Sequence, residues 1–560
     1  MTLILDRVYQ HEAEKPQQVL FTQPLGGGAV RDITWSQALD EARRMAAHLK
    51  SFNFPPGASI AMLAKNSAHF IMAELAIWMA GGCSVAIFPT DTPDNVRFVL
   101  EHSEARLLFV GKLDGWEQLA TAVPAGLPCI ALPLSPANLS GQAGQGMPAW
   151  DEIVARTPPL DGSPQRGDDE LAMLCYTSGS TGEPKGVMHT FGSAGRTARG
   201  IFDDQAERFG ADLHWRALSY LPLAHCYERA WVECLALLSG QTHIFFTDTL
   251  ASFMDDLRRA RPTVFLSVPR LWTKFQQAVF ASLPPAQLDA MLANPATADA
   301  VRRKVMENLG LADVISAGSG SAPLPGPLKQ WYRALGLNLV EGYGMTEDFA
   351  YSHSQGTAPG SSGKPMAGVT ARLADDGEIL VHSPGQLRGY FKRPDLNAEC
   401  FTDDGFFRTG DLGHYDESGE LHITGRKKEL FKTAKGEYVV PAPIENRLNA
   451  HPMVELSIVG GLGQSAPHAV LMLDENLRPK LGDAAVRSLV QAELEKLLAA
   501  TNAAMAQHQR LAFIVVTPEP WTIANGCLTS TMKIKRARIE ASVAQHVQGW
   551  YGSNQSVIWA

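Results

Sequence analysis

The chain has 560 residues, too many for one compact core, so at least two domains are expected. Hydrophobic residues at 45% and charged residues at 19% exclude a disordered or collagen-like chain. A formal charge of −9, with both signs interspersed, excludes a surface built to neutralise nucleic-acid phosphates, so no nucleic-acid partner is expected.

The opening stretch MTLILDRVYQHEAEKPQQ reaches charged residues too early for a signal peptide, which makes the cytoplasm the expected location. Thr34 is placed to cap a helix in which Leu39, Ala42, Ala46 and Leu49 recur at helical spacing. The run 59–64 then reads as a strand, 68–80 as a helix and 83–88 as a buried strand; Thr92-Pro93 opens a further helix before the apolar run 107–110. This alternation predicts a parallel sheet covered by helices. The most membrane-like stretch, 70–88, is divided by Glu74 and by Gly81-Gly82 into parts too short to span a bilayer, which leaves only peripheral membrane contact open.

The seven cysteines, Cys83, Cys129, Cys175, Cys226, Cys234, Cys400 and Cys527, include no C-x-x-C pair and are expected to be free thiols, without disulfides or zinc. Residues 133–168, rich in Pro, Gly, Ala and Ser, predict a surface excursion. The α/β pattern resumes at Leu171 and changes near Gly425-Arg426-Lys427-Lys428, after which a shorter mixed segment follows. The expected fold is α/β: a large N-terminal domain of helix-covered mixed or parallel sheets over 1–427, then a small α+β domain over 428–560.

The strand-like run 171–176 empties into Thr177-Ser178-Gly179-Ser180-Thr181-Gly182-Glu183-Pro184-Lys185-Gly186. Glycines let backbone N–H groups converge, hydroxyls add donors and the lysine adds charge, so the loop suits a triphosphate. It does not fit the G-x-x-x-x-G-K-S/T pattern of P-loop nucleotidases, because Lys185 sits between proline and glycine. It resembles the signature of the adenylate-forming superfamily of acyl-CoA synthetases, peptide-synthetase adenylation domains and luciferases.

That resemblance covers nearly the whole chain and implies roles for further residues. Gly342-Tyr343-Gly344-Met345-Thr346-Glu347 resembles the second signature: Tyr343 on adenine, Thr346 on phosphate, Glu347 on Mg2+. Gly320-Ser321-Ala322-Pro323 resembles the segment on the other side of adenine. Asp411, in Thr409-Gly410-Asp411, is implied to take both ribose hydroxyls, with Arg426 also on the nucleotide. Lys533, in Lys533-Ile534-Lys535-Arg536, matches the catalytic lysine, with Lys535 as the competing assignment. The small domain is implied to be mobile about Lys428, and Gly436 to make room for pantetheine, the reactive arm of coenzyme A.

The segment Pro222-Leu223-Ala224-His225-Cys226-Tyr227-Glu228-Arg229 resembles long-chain fatty acyl-CoA synthetases, as do 262–272 and 75–89; it implies His225 beside the acyl carboxylate. The implied activity joins a fatty acid of medium to long chain to coenzyme A, with ATP and Mg2+, through an acyl adenylate. Three rivals stand beside it: an enzyme that loads an acyl carrier protein, a non-catalytic lipid- or nucleotide-binding homologue, and a phosphotransferase that would release ADP.

Overall fold

The computed structural model describes residues 2–137, 139, 147–178 and 183–560. The chain divides into two compact units: Met1–Thr370 with Val381–Phe407, and Ala371–Leu380 with Arg408–Ala560. The compact division therefore falls ahead of residue 427. The hairpin of Phe407–Tyr415 and Leu421–Arg426 joins the second unit because its strands share a sheet with Glu378–His382, and Lys427 ties Asp376 and Glu378 at 2.5 and 3.1 Å.

In the first unit the alternation read from sequence is realised. Thr34 accepts the backbone N–H of Gln37, whose side chain accepts the N–H of Thr34, so the helix Trp35–Ser51 starts at a satisfied end and buries Leu39, Ala42, Ala46 and Leu49. Ser59–Leu63 pairs in parallel with Cys83–Ile87 on one side and Leu107–Val110 on the other. Every residue of Ser59–Leu63 is buried, as expected for a strand covered on both faces. Among the described residues these strands belong to a seven-stranded sheet whose other edge is Leu171–Ser178, Pro184–Thr190 and Gly389–Tyr390. A second, nine-stranded sheet holds Ser316–Ser319 and Leu339–Tyr343.

The helix Ala68–Met79 is buried on all sides, and its Glu74 is paired with the fully buried Arg229. A charge in an apolar helix survives there because its partner is buried with it. Among the described residues, no helix is long and apolar enough to cross a membrane. Among its described residues the excursion 133–168 lies at the surface, as expected, except where helix Trp150–Arg156 anchors it: Trp150 and Ile153 are completely buried, and the Trp150 indole donates to Glu41 at 2.9 Å. Burying an aromatic of that size contributes about 2–3 kcal/mol, which docks the segment onto the core. All seven cysteines are free thiols, five of them buried.

The second unit pairs Val454–Gly460, His468–Leu473, Ile514–Val516 and Val557–Trp559 in a four-stranded sheet. Ile444 and Leu448 from helix Pro441–Asn449, and Val490 and Leu494 from helix Ala484–Ala503, fill one face of it.

Candidate active site

In the first unit, Leu171–Ser178 and Pro184–Thr190 form an antiparallel hairpin that sets Thr177 opposite Lys185. Gly179, Ser180, Thr181 and Gly182 lie outside the described residues, as does the side chain of Ser178. The Lys185 ammonium stands 5.4 Å from the ring centroid of Tyr390, whose strand pairs with Val187 and Met188 of the same hairpin. The Tyr390 hydroxyl donates to Glu347 Oε1 at 2.8 Å, and the N–H of Leu387 donates to the Glu347 carbonyl at 2.7 Å. Lys185 and Glu347 thus converge on the ring and the hydroxyl of one tyrosine.

Ser316–Ser319 and Leu339–Tyr343 run parallel, with Ser319 opposite Glu341, so Gly320 and Gly342 leave the carboxyl ends of neighbouring strands. That is where open α/β sheets hold ligands. A Cβ on Gly320 would come within 3.9 Å of the Gly342 carbonyl and 3.8 Å of the Tyr227 ring. Ser321 adopts a left-handed φ of 69°, after which Ala322 and Pro323 lead to Leu324, whose N–H donates to Glu341 at 2.8 Å. Tyr343 pairs with His353, their rings 6.1 Å apart.

The chain then folds back on itself. A Cβ at Gly344 would lie 2.8 Å from the backbone of Ala350, so only glycine fits. Phe349 and Ala350 are left-handed, with φ of 55° and 56°, each costing about 1–2 kcal/mol. The Asp348 carboxyl offsets that strain by accepting the N–H groups of Met345 and Tyr351 at 2.8 and 3.2 Å. Burial pushes Asp348 up to about 7, and the neighbouring Glu347 adds to the rise.

Thr346 is held from two directions. Its hydroxyl donates to the Cys226 thiol at 3.5 Å, and its carbonyl lies 2.8 Å from His189 Nε2. Burial pulls His189 down to about 4, so the ring is neutral near pH 7 and Nε2 donates. Next to Cys226, the Nδ1 atom of His225 accepts the N–H of Tyr227 at 3.1 Å. The ring proton of His225 therefore sits on Nε2, where it can donate to an oxygen anion. The turn behind it is anchored: Ser219 donates to Glu228 at 2.6 Å, burial pushes Glu228 up to about 8, and Arg229 begins a π-helical stretch, Arg229–Cys234.

The second unit carries the remaining candidates. Asp411 and Arg426 face each other across the hairpin, 2.9 Å apart, with Asp411 buried and Arg426 exposed. Lys428 is exposed in the single turn Lys427–Glu429. Gly436 turns a hairpin at φ 79°, its N–H donating to the Thr433 carbonyl at 3.0 Å. Lys533 is exposed in a loop closed by Thr529, whose hydroxyl accepts the Lys533 N–H at 3.0 Å. Lys535 is half-buried and precedes helix Arg536–Gly552, which leaves Lys533 the better placed to reach outward. Arg536 reaches Glu445 at 2.7 Å, Glu429 at 3.6 Å and the Val459 carbonyl at 3.1 Å.

Sequence reasoning did not single out Tyr390, His189 or Cys226, nor the anchoring role of Arg536. Tyr390 and Glu347 are 43 residues apart, and His189 and Thr346 are 157 apart, so no local pattern links them. A Gly-Tyr pair shortly before Arg393-Pro394 was the one available signal. No cage of three His, Cys, Asp or Glu side chains forms among the described residues. A divalent cation here would rest on the Glu347 carboxylate and on phosphate oxygens, a set of hard donors that suits Mg2+.

Two family descriptions match the chain: AMP-binding enzyme over residues 8–391, and AMP-binding enzyme C-terminal domain over residues 429–555. The long-chain-fatty-acid–CoA ligase FadD15 of Mycobacterium bovis is 30% identical, over 97% of this chain and 96% of that one. Among solved structures, the A domain of carboxylic acid reductase from Segniliparus rugosus, in complex with AMP, has a TM-score of 0.79 at 22% identity, covering 99% of this chain and 94% of the other. The o-succinylbenzoate–CoA synthetase of Bacillus subtilis, with ATP and magnesium, has a TM-score of 0.72 at 22% identity, covering 95% and 99%. The likeness to both solved structures establishes the fold.

Proposed function

The chain belongs to the AMP-binding enzyme family, within the adenylate-forming superfamily of the acyl-CoA synthetases, and from that premise we propose that it is an ATP- and Mg2+-dependent fatty acid–CoA ligase. In the first step a fatty carboxylate attacks the α-phosphorus of ATP, and pyrophosphate leaves. In the second, the thiol of coenzyme A attacks the acyl carbonyl of the adenylate and AMP leaves.

The assignments carry over the roles that the family resemblance implies. Thr177, Ser178, Gly179, Ser180, Thr181, Gly182 and Lys185 hold the phosphates, with Thr346 beside them. Gly320, Ser321, Ala322, Pro323, Gly342, Tyr343 and Gly344 border adenine, and Asp411 with Arg426 takes the ribose. Glu347 holds Mg2+, which when bound screens the negative charge of the triphosphate. His225 donates its Nε2 proton to the fatty carboxylate and so orients it. Lys533 brings positive charge to the point where two anions must approach one another. Lys428 is the hinge through which the small domain exchanges Lys533 for the loop of Gly436 between the two steps.

The convergence of Lys185 and Glu347 on Tyr390, with Thr346 next to Glu347 in the chain, supports the adenylation reading. The 30% identity with a long-chain ligase across nearly the full chain supports a fatty acid and coenzyme A. The test is a panel of fatty acids of increasing length with ATP and coenzyme A, read by mass detection of AMP and acyl-CoA. Acyl-CoA with stoichiometric AMP is expected. Acyl adenylate without acyl-CoA would move the assignment to a carrier-protein loading enzyme, and ADP as product would end the adenylation reading.

A further inference from the structure

We propose that Tyr390 is a positioning residue for the first half-reaction: its hydroxyl aims the Glu347 carboxylate, and its ring seats the Lys185 ammonium. The inference rests on the adenylation reading for its purpose, and on geometry for its content.

Tyr390 is 6% exposed, and its hydroxyl lies on Glu347 Oε1 at 2.8 Å. A ring that served packing alone would do as well as phenylalanine. An ionised carboxylate only accepts, so the hydroxyl donates and the contact has a single direction. One hydrogen bond to one oxygen fixes the rotation of the carboxylate plane, which decides where the other oxygen points. A metal ligand needs that constraint, because partners behind the ligand set its orientation and tune its affinity.

Both ends of this contact stand on fixed backbone. Asn397 clamps Tyr390 from both sides: its Oδ1 accepts the Tyr390 N–H at 2.6 Å, and its Nδ2 donates to the Tyr390 carbonyl at 3.2 Å. Gly389–Tyr390 is also paired with the strand that carries Lys185, and Leu387 donates to the Glu347 backbone. The Lys185 ammonium at 5.4 Å from the ring centroid lies within cation–π range. One side chain therefore couples the phosphate lysine to the metal carboxylate.

The test uses full-length Tyr390→Phe and Tyr390→Leu, each checked for a parent-like melting temperature. Mn2+, standing in for Mg2+, is titrated by electron paramagnetic resonance in the presence of α,β-methylene-ATP, whose α–β bridge cannot be cleaved, so that no AMP moiety is transferred. Tyr390→Phe is expected to weaken Mn2+ binding about tenfold, while its affinity for the analogue without metal stays within about twofold. Tyr390→Leu should also weaken metal-free binding of the analogue, by about two- to fivefold, because the ring beneath Lys185 is gone. Thioester formation from supplied acyl adenylate and coenzyme A should be unchanged in both variants. A Tyr390→Phe curve that overlays the parent, or equal losses in both half-reactions, overturns the proposal. If the parent makes no adenylate while Tyr390→Phe still weakens Mn2+ binding, the adenylation reading fails and the link between Tyr390 and Glu347 stands.

Discussion

The first unit grips its reactive groups from several sides, whereas the second, apart from the paired Asp411 and Arg426, presents its own at the tips of loops. Glu347 is held by Tyr390 and Leu387, Thr346 by His189 and Cys226, and His225 by the turn it caps. Lys533, Lys428 and Gly436 instead occupy exposed turns, and the second unit's anchors are more deeply set, above all the half-buried Arg536 between Glu445 and Glu429. The contrast matches two demands. Charges that meet a triphosphate act best when preorganised, since nothing need then reorganise during reaction. Residues that arrive and leave between two steps need reach, with rigidity kept in the body that carries them.

The comparison can be tested by removing a tip, an anchor, a grip and a hinge. Lys533→Ala removes a tip and is expected to slow adenylation by about a hundred- to a thousandfold, ~3–4 kcal/mol. Thioester formation from supplied adenylate should be spared; a greater loss in that second step would contradict the assignment. Arg536→Met removes an anchor and strands the buried carboxylate of Glu445, at a cost of about 3 kcal/mol. Hydrogen exchange should show protection lost around Val459, whose N–H donates to Glu445 at 2.6 Å, and kept in the first unit. Uniform loss across both units would blur the distinction.

His189 offers a smaller effect with a definite sign. Its folded pKa is lowered to about 4 from 6.5 by burial, so the unfolded chain takes up this proton first as pH falls. The stability it supports is complete above about 6.5 and declines towards about 4, amounting to about 2 kcal/mol by pH 5. His189→Gln keeps a donor near Thr346 without a titrating ring, and its melting temperature should fall less between pH 7 and pH 5 than the parent's. Parallel curves would show that the ring does not carry this burden. Lys428→Pro tests the proposed hinge and is expected to slow the change between half-reactions about tenfold, ~1.4 kcal/mol; single-turnover rates for both steps equal to the parent's would rule it out.

Local order was legible in the sequence because its causes are local. Thr34 and Thr92 cap the helices expected of them, and the parallel strands around Ser59–Leu63 follow from unbroken apolar runs. The motifs also placed Lys185, Thr346, Glu347 and His225, which the fold then gathers in one unit. What could not be read depends on distant pairing. Trp150 packs into the core beside Phe109 and His69, where Glu41, 109 residues earlier, accepts a hydrogen bond from its indole N–H. The compact division shifted because strands that share a sheet outweigh a change in composition near Gly425. Tyr390 escaped notice for the same reason: its partner is set by sheet register.

The most direct measurement follows the oxygen atoms. A fatty acid labelled with heavy oxygen in both carboxyl positions is turned over with ATP and coenzyme A, and the AMP is weighed. One heavy oxygen in each AMP is the expected result, since the carboxylate must bond to the α-phosphorus before the thiol displaces it. Unlabelled AMP accompanied by acyl-CoA would contradict the account.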